Sequence, residues 1–441
     1  MKINQKTYLK LTFIHVLFGL LIFSAPILAK IYGSLIVIIS LFFIIHRQNK
    51  NNEVLYAAAY FVGTEVLFRM TGGFIFNEIG KYWLIFLMFL GMYYGKFSKD
   101  AYLYWFFLIL LLPGIFYASV TLNLKADLRK EIAFNMSGPF CLAFVSIYCY
   151  KRKITLNELE NILLCALLPI ISVVTYMYFF APKIKDAVRG TSSNFTTSGG
   201  FGPNQVSTII GLGVFIIFAR LLFNSKSVLL TIVNASILLV LTFRGIVTFS
   251  RGGMITAGVM IFVLFFIVYR ISNQLSKLKI IISVFLASIV FLVVWNYSSS
   301  QTNGMIDKRY ANKDAAGRLK KDRLGGREEI NGYELDMFFE NPILGVGAGK
   351  NMEIKEKIMG DKVASHNEIT RMLAEHGIFG IFGLMILFLV PILYYLNNKQ
   401  NIYLFSFFLF WLLTINHAAM RLAAPGFIYA LSLLKVTIDK K

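Results

Sequence analysis

Apolar residues in this chain come in long runs, without the strict alternation of a half-buried strand or the single stripe of a soluble helix. A helix crossing a bilayer needs roughly 20 apolar residues. Reading the runs against Gly, Pro and charge punctuation predicts spans at 8–29, 31–46, 54–70, 80–95, 101–121, 132–150, 161–181, 205–223, 227–248, 252–270, 278–297, 377–396, 401–418 and 423–437. Ile280 to Trp295 is apolar on every face, which excludes the short alternating segments of an outer-membrane barrel. The expected fold class is an all-α polytopic membrane protein of about 14 transmembrane helices, with one large outer loop containing amphipathic helices. Along the chain this gives helices 1–7 and an outer loop over 1–204, helices 8–11 over 205–297, a large extracytoplasmic loop over 298–376 and helices 12–14 over 377–441.

Composition agrees: the chain is 57% hydrophobic and only 15% charged, against about 25% charged in ordinary soluble domains, so a soluble enzyme is excluded. Forty-four Lys and Arg against twenty-three Asp and Glu give a net charge of +21. In a soluble protein that excess would suggest nucleic acid, but here topology accounts for it and no nucleic-acid partner is expected. With the N-terminus inside, the inner loops and tails hold 19 basic residues and the short outer loops 12, which places both termini in the cytoplasm. The loop 298–376, with 13 basic and 13 acidic residues, then faces out. Cys141, Cys149 and Cys165 all fall in apolar runs and read as packing residues. The first run follows Lys2, Lys6 and Lys10 and has no Ala-x-Ala cleavage site after it, so it is expected to be a retained span.

Candidate chemistry gathers at the outer face. Gly325 to Pro342 reads as an amphipathic helix with Ile330, Tyr333, Met337 and Phe338 on one stripe, ended by Asn341-Pro342. Ile343-Leu-Gly-Val-Gly-Ala-Gly349 lacks the strand and the spacing of a dinucleotide fingerprint and reads as a flexible turn or a backbone nest near an anion. Ser365-His-Asn-Glu368 has the form of a capping box, with Ser365 as the cap and His366 at the first helical position. The helix dipole there would disfavour imidazolium, as a general base requires. Arg251, in Ser250-Arg-Gly-Gly253, sits where two spans meet at the outer side, with glycines that permit close approach. Arg244, Arg421 and His417 are further candidates near the interface. Glu65 and Arg69 are spaced for an ion pair on one helix face, and His15 reads as a packing residue of the bundle. No Asp-x-Asp, clustered His and carboxylates or His-Glu-x-x-His occurs on the outer side, so neither a catalytic metal nor any other cofactor is expected.

Taken in order, Gly202-Pro-Asn204 opening a span, Ser250-Arg-Gly-Gly253 between spans, Arg327 with Glu340 to Gly349 in the long loop, and His366-Asn367 before Glu375-His-Gly-Ile-Phe-Gly380 resemble the O-antigen ligase and polymerase superfamily of bacterial membrane glycosyltransferases. The resemblance covers roughly Gly199 to Ile392, and where the family often has Trp in the loop helix this chain has Asn331. It implies a GT-C-like membrane fold and an undecaprenyl-diphosphate-linked glycan as donor on the outer leaflet of the cell inner membrane. His366 would take the acceptor proton in an inverting displacement, and Arg251 and Arg327 would bind the diphosphate. Asn367, Arg244 and Arg421 join them as substrate-binding candidates. The acceptor is lipid A-core in a ligase, another lipid-linked repeat in a polymerase, or a Ser or Thr side chain in a protein-glycosylating relative. A lipid-linked glycan transporter is the alternative from another class, against which stand the absence of repeated halves and broken midplane helices and the outer position of the candidates.

Overall fold

The computed structural model describes residues 4–74, 76–122, 128–320, 326–360 and 363–438. Nearly all of its regular structure is helical, with two three-residue strands, Lys153–Thr155 and Lys435–Thr437. Ten helices among the described residues are long and apolar enough to cross a membrane, which makes the chain a polytopic helical membrane protein. The count of fourteen is not confirmed among the described residues. The run at 54–70 forms the 19-residue helix Glu53–Thr71, which carries Glu65 and Arg69, and the run at 80–95 forms the 17-residue helix Ile79–Gly95. The last two runs fall shorter still, as Leu404–Ile415 with 12 residues and Ala424–Leu431 with 8. At about 1.5 Å per residue the final helix is far too short for a hydrocarbon core of about 30 Å. It is buried along its whole length, so its apolar character serves the protein interior.

The chain folds as two compact units, each drawing on separate stretches of sequence: residues 1–77 with 155–321 and 438–441, and residues 78–154 with 322–437. In the first unit, helix Glu53–Thr71 lies against Leu156–Phe180 so closely that a Cβ at Gly63 would meet the Ala166 carbonyl oxygen at 2.2 Å. Helices Pro203–Asn224 and Arg251–Ile271 approach in the same way, with a Cβ at Gly211 meeting the Gly253 carbonyl oxygen at 2.2 Å. Small residues at such crossings let helices pack where lipid provides no hydrophobic drive between them. The Glu65–Arg69 pair forms at 2.7 Å, and Arg69 also donates to Gln205 Oε1 at 3.1 Å. His15 packs as expected, held by Tyr60 Oη at 2.9 Å and the Leu11 carbonyl at 2.7 Å.

The second unit is built around Trp411, Tyr429 and Tyr104, all fully buried. The two phenols meet at 2.9 Å, and Tyr429 donates to the Leu387 carbonyl at 2.9 Å, which satisfies polar tips that burial would otherwise penalise. Cys141 and Cys149 are free and buried in this unit, and Cys165 is free in the first. The strand Lys435–Thr437 lies beside Arg152 and Ile154, with the Lys435 N–H donating to the Arg152 carbonyl at 2.8 Å.

Candidate active site

The loop helix runs over Arg327–Glu340 and ends at Asn341; Gly325 lies outside the described residues. Its buried side is Ile330, Glu334 and Met337, so a carboxylate stands in the middle of the expected apolar stripe. Glu334 is fully buried and pairs with Lys355 Nζ at 2.7 Å, and its other oxygen accepts from Thr370 Oγ1 at 2.6 Å. Ser365 completes the cluster: it donates to Glu334 and accepts from Lys355 Nζ and Asn351 Nδ2, each at 3.0 Å. The Ser365 side chain is therefore not a helix cap. Asn367 takes that role, with its Oδ1 accepting from the Ile369 N–H at 2.9 Å, and the helix begins at Glu368. His366 consequently stands two residues ahead of the helix instead of at its first position.

His366 is half-buried, its Nδ1 buried with no hydrogen-bond partner among the described residues. Burial lowers its pKa to about 3, with Arg421, Arg327, Lys355 and His417 adding to the shift. The lowering expected from sequence is in the same direction, but its causes are desolvation first and then nearby guanidinium and ammonium groups, with no need of the helix dipole. Arg421 clamps the backbone beside it, donating to the carbonyls of Ser365 at 2.9 Å and Ala364 at 3.3 Å. His417 is buried and holds the Leu413 carbonyl through Nδ1 at 3.0 Å. Below the loop lies a cavity of about 30 Å³ lined by Lys81, Asn135, Ser365, Glu368, Arg371 and Arg421.

Following His366, buried Arg371 pairs with Glu368 and Glu375 on its own helix. The glycine-rich stretch closes this network. Gly345, Gly347 and Gly349 all adopt positive φ, at 68°, 97° and 86°. A Cβ on Gly345 would sit 2.6 Å from the Ala374 carbonyl oxygen. The Gly349 N–H donates to Glu375 Oε1 at 2.9 Å, and Val346 N–H to the Ala374 carbonyl at 2.8 Å. The stretch is thus a packed strap, not a flexible turn, and the anion its backbone meets is the chain's own carboxylate. Helix Glu368–Tyr395 breaks at Gly377, with φ 56° and ψ −133°, where the Ile378 N–H donates to the Pro342 carbonyl at 2.8 Å.

In the other unit, Arg251 heads helix Arg251–Ile271 directly after the tight turn at Phe249, whose φ is +60°. Ser250 Oγ donates to Asn204 Oδ1 at 2.8 Å, and Ser207 Oγ donates to the Ser250 carbonyl at 2.9 Å, so the first two motifs are joined. The close approach that Gly253 permits is to the backbone of Ser207, within a helix crossing. Arg251 donates to the Arg309 carbonyl at 3.4 Å, and Arg309 Nε to the Phe249 carbonyl at 3.0 Å. Both guanidiniums act on Tyr310, though burial outweighs them and pushes that phenol up to about 12. Arg244 is buried, with its guanidinium on the carbonyls of Ala181 at 3.1 Å and Tyr178 at 3.4 Å. It closes the end of a neighbouring helix, which speaks for an architectural role over the substrate-binding one expected of it.

Residues 235–385 match the family model described as O-antigen ligase. That region belongs to the O-antigen ligase and polymerase superfamily. No curated protein matches the chain. The O-antigen ligase region takes in Arg244, Arg251, Arg327, His366 and Asn367, and leaves out Arg421 and Asn204. The latter two reach the matched region through their hydrogen bonds to Ser365 and Ser250. Sequence reasoning missed Glu334, Lys355 and Arg309, whose partners are distant in the chain. It named Glu368 and Glu375 only within motifs and missed their ion pairs with Arg371, although a spacing of three and four at the head of an apolar run is a legible signal.

Proposed function

We propose that the chain is a glycosyltransferase of ligase type. It would move a glycan from undecaprenyl diphosphate to a sugar hydroxyl of lipid A-core, by an inverting and metal-independent displacement at the outer face of the cell inner membrane. The observation that carries this reading is a half-buried histidine, its Nδ1 without a partner among the described residues and the Arg421 guanidinium on the adjoining backbone, in the region matching the O-antigen ligase family. The acceptor hydroxyl gives its proton to His366, and its oxygen bonds to the anomeric carbon. The bond from that carbon to the diphosphate breaks, and the electron pair leaves with the diphosphate. Nδ1 is buried, which leaves Nε2 as the proton acceptor. Arg327 meets the growing phosphate charge, as bidentate guanidiniums do well. Arg421 holds the backbone at Ala364 and Ser365 and so positions His366.

A group with a pKa near 3 is neutral at every physiological pH but is a weak base. The donor mends this. Its diphosphate brings negative charge to the cations that depress His366, so the imidazole becomes more basic once the donor is bound. The base is thus armed by the substrate it will serve, and an empty site stays unreactive.

Both termini are assigned to the cytoplasm and loop 298–376 to the outside. The charge bias supports this. The test is transfer by purified protein in nanodiscs containing EDTA, with undecaprenyl-diphosphate-linked oligosaccharide and separate lipid A-core, lipid-linked repeat and peptide acceptors. Release of undecaprenyl diphosphate with a larger product on lipid A-core supports the ligase. Product only on a lipid-linked repeat replaces it with a polymerase. Movement of the lipid-linked glycan across the bilayer without any transfer overturns the enzyme reading.

A further inference from the structure

Within the first unit, one helix stands away from its neighbours. Helix Ile27–Arg47 leaves a cavity of about 880 Å³ between itself and the helices Glu53–Thr71 and Leu156–Phe180. This lies at the upper end of the roughly 300–1,000 Å³ typical of ligand sites. Leu35, Ile39 and Phe43 face it at helical spacing while remaining 45–49% exposed, so the described residues leave about half of this apolar stripe uncovered.

The cavity has two chemically distinct ends. At its deep end Tyr60 joins Tyr32 at 2.6 Å and His15 at 2.9 Å, a hydrogen-bonded floor. At the other end four helix termini converge: Gln5–Ser24, Glu53–Thr71 and Leu156–Phe180 begin there, and Ile27–Arg47 ends there. That end carries Arg47, Glu53 and Glu158 together with Asn51 and Asn161. Arg47 reaches Glu53 only at 3.9 Å and keeps half its side chain exposed, so its guanidinium can take a second anion.

The geometry points to a bound phospholipid with an ammonium-bearing headgroup, of the phosphatidylethanolamine kind. An acyl chain would lie along Leu35, Ile39 and Phe43, the phosphate would meet Arg47, and the ammonium would meet Glu53 and Glu158. Two carboxylates to one guanidinium disfavour a headgroup that is only anionic and match one carrying both signs. The site uses none of the residues assigned to glycan transfer, so it stands or falls separately from that reading.

Native mass spectrometry of the full-length, delipidated protein in detergent tests this by titration with phosphatidylethanolamine and with phosphatidylglycerol of the same chains. One ethanolamine lipid is expected to bind up to about fivefold more tightly, the most that a partly exposed charge pair supplies. Glu53→Gln should reduce that preference by about the same factor, because Glu53 faces the headgroup. Ala57→Trp, which fills the cavity, should abolish binding, and Ser40→Phe on the opposite wall serves if that variant does not fold. Equal binding of the two lipids by the wild type, no binding of either, or retention of the lipid by a folded cavity-filling variant overturns the proposal.

Discussion

Arg251 and Arg421 look alike in the sequence, each a lone cation near the end of an apolar run, yet the fold holds them by different physics. Arg251 is fixed by its helix, whose head is pressed on Ser207 through Gly253 and Gly211. Arg421 is fixed by what it grips, the carbonyls of Ala364 and Ser365, and that segment rests on buried charges. One region owes its order to small residues and contact, the other to ion pairs that must stay complete. Each therefore has its own point of failure.

The largest effect expected is on chemistry alone. His366→Ala should lower kcat by about 10²–10⁴-fold, the usual contribution of a positioned general base, while the thermal unfolding midpoint in detergent stays near that of wild type. This follows because Nδ1 makes no hydrogen bond that the fold would miss. A variant that loses stability together with activity would turn His366 into a structural residue and leave the cation ring without a base.

Next comes the charge network under the same loop. Arg371→Met leaves two buried carboxylates, Glu368 and Glu375, without their cation. Breaking a buried pair costs about 3–5 kcal/mol, so the unfolding midpoint should drop sharply and the strap at Gly349 should become protease-sensitive. Unchanged stability would show that the network is dispensable and would remove the contrast with the Arg251 region. On the other side, Gly253→Val should cost about 1–3 kcal/mol by overpacking, with transfer falling in parallel as the head of the Arg251 helix is displaced. Full activity in a folded Gly253→Val protein would mean that Arg251 needs no fixed position.

The helical membrane architecture was legible because spans are written in composition, and a hydrophobic run needs no partner to be recognised. What composition could not separate is lipid from protein as the apolar surroundings. The run at 423–437 is as apolar as a span, but its helix of 8 residues is buried inside its unit. The order of the motifs pointed to the family whose model matches residues 235–385, a stretch that contains Arg251 and His366. The local reading of Ser365 failed because a capping-box pattern says nothing of a competitor 31 residues away, and Glu334 claimed the hydroxyl first. The same reason hides Arg309, 58 residues beyond Arg251. Hydrogen-bonded clusters assembled across such distances leave no periodic trace.

The smallest effect is the most discriminating, because it separates the electrostatic role of Arg421 from its grip on the backbone. His366 works as a base only when neutral, so transfer should be lost as pH falls through its pKa. In the free protein that pKa is about 3, against about 6.5 for an unperturbed imidazole, so kcat/KM should stay flat from neutral pH to about pH 5, where an ordinary histidine would already be charged. Donor binding neutralises part of the cationic surround, so the acid limb of kcat should lie at higher pH than that of kcat/KM. Arg421→Gln keeps an N–H donor for the Ser365 carbonyl but removes one positive charge. The acid limb of kcat/KM should then move upward by on the order of one pH unit, with the limb of kcat moving less. Arg327→Gln should shift the profile in the same direction through charge alone, and a Gly253→Val protein should not shift it, since no group of the Arg251 turn figures among the causes of the His366 depression. Coincident limbs for kcat and kcat/KM, or a limb near 6.5 in the wild type, would remove the role given to the donor in arming the base.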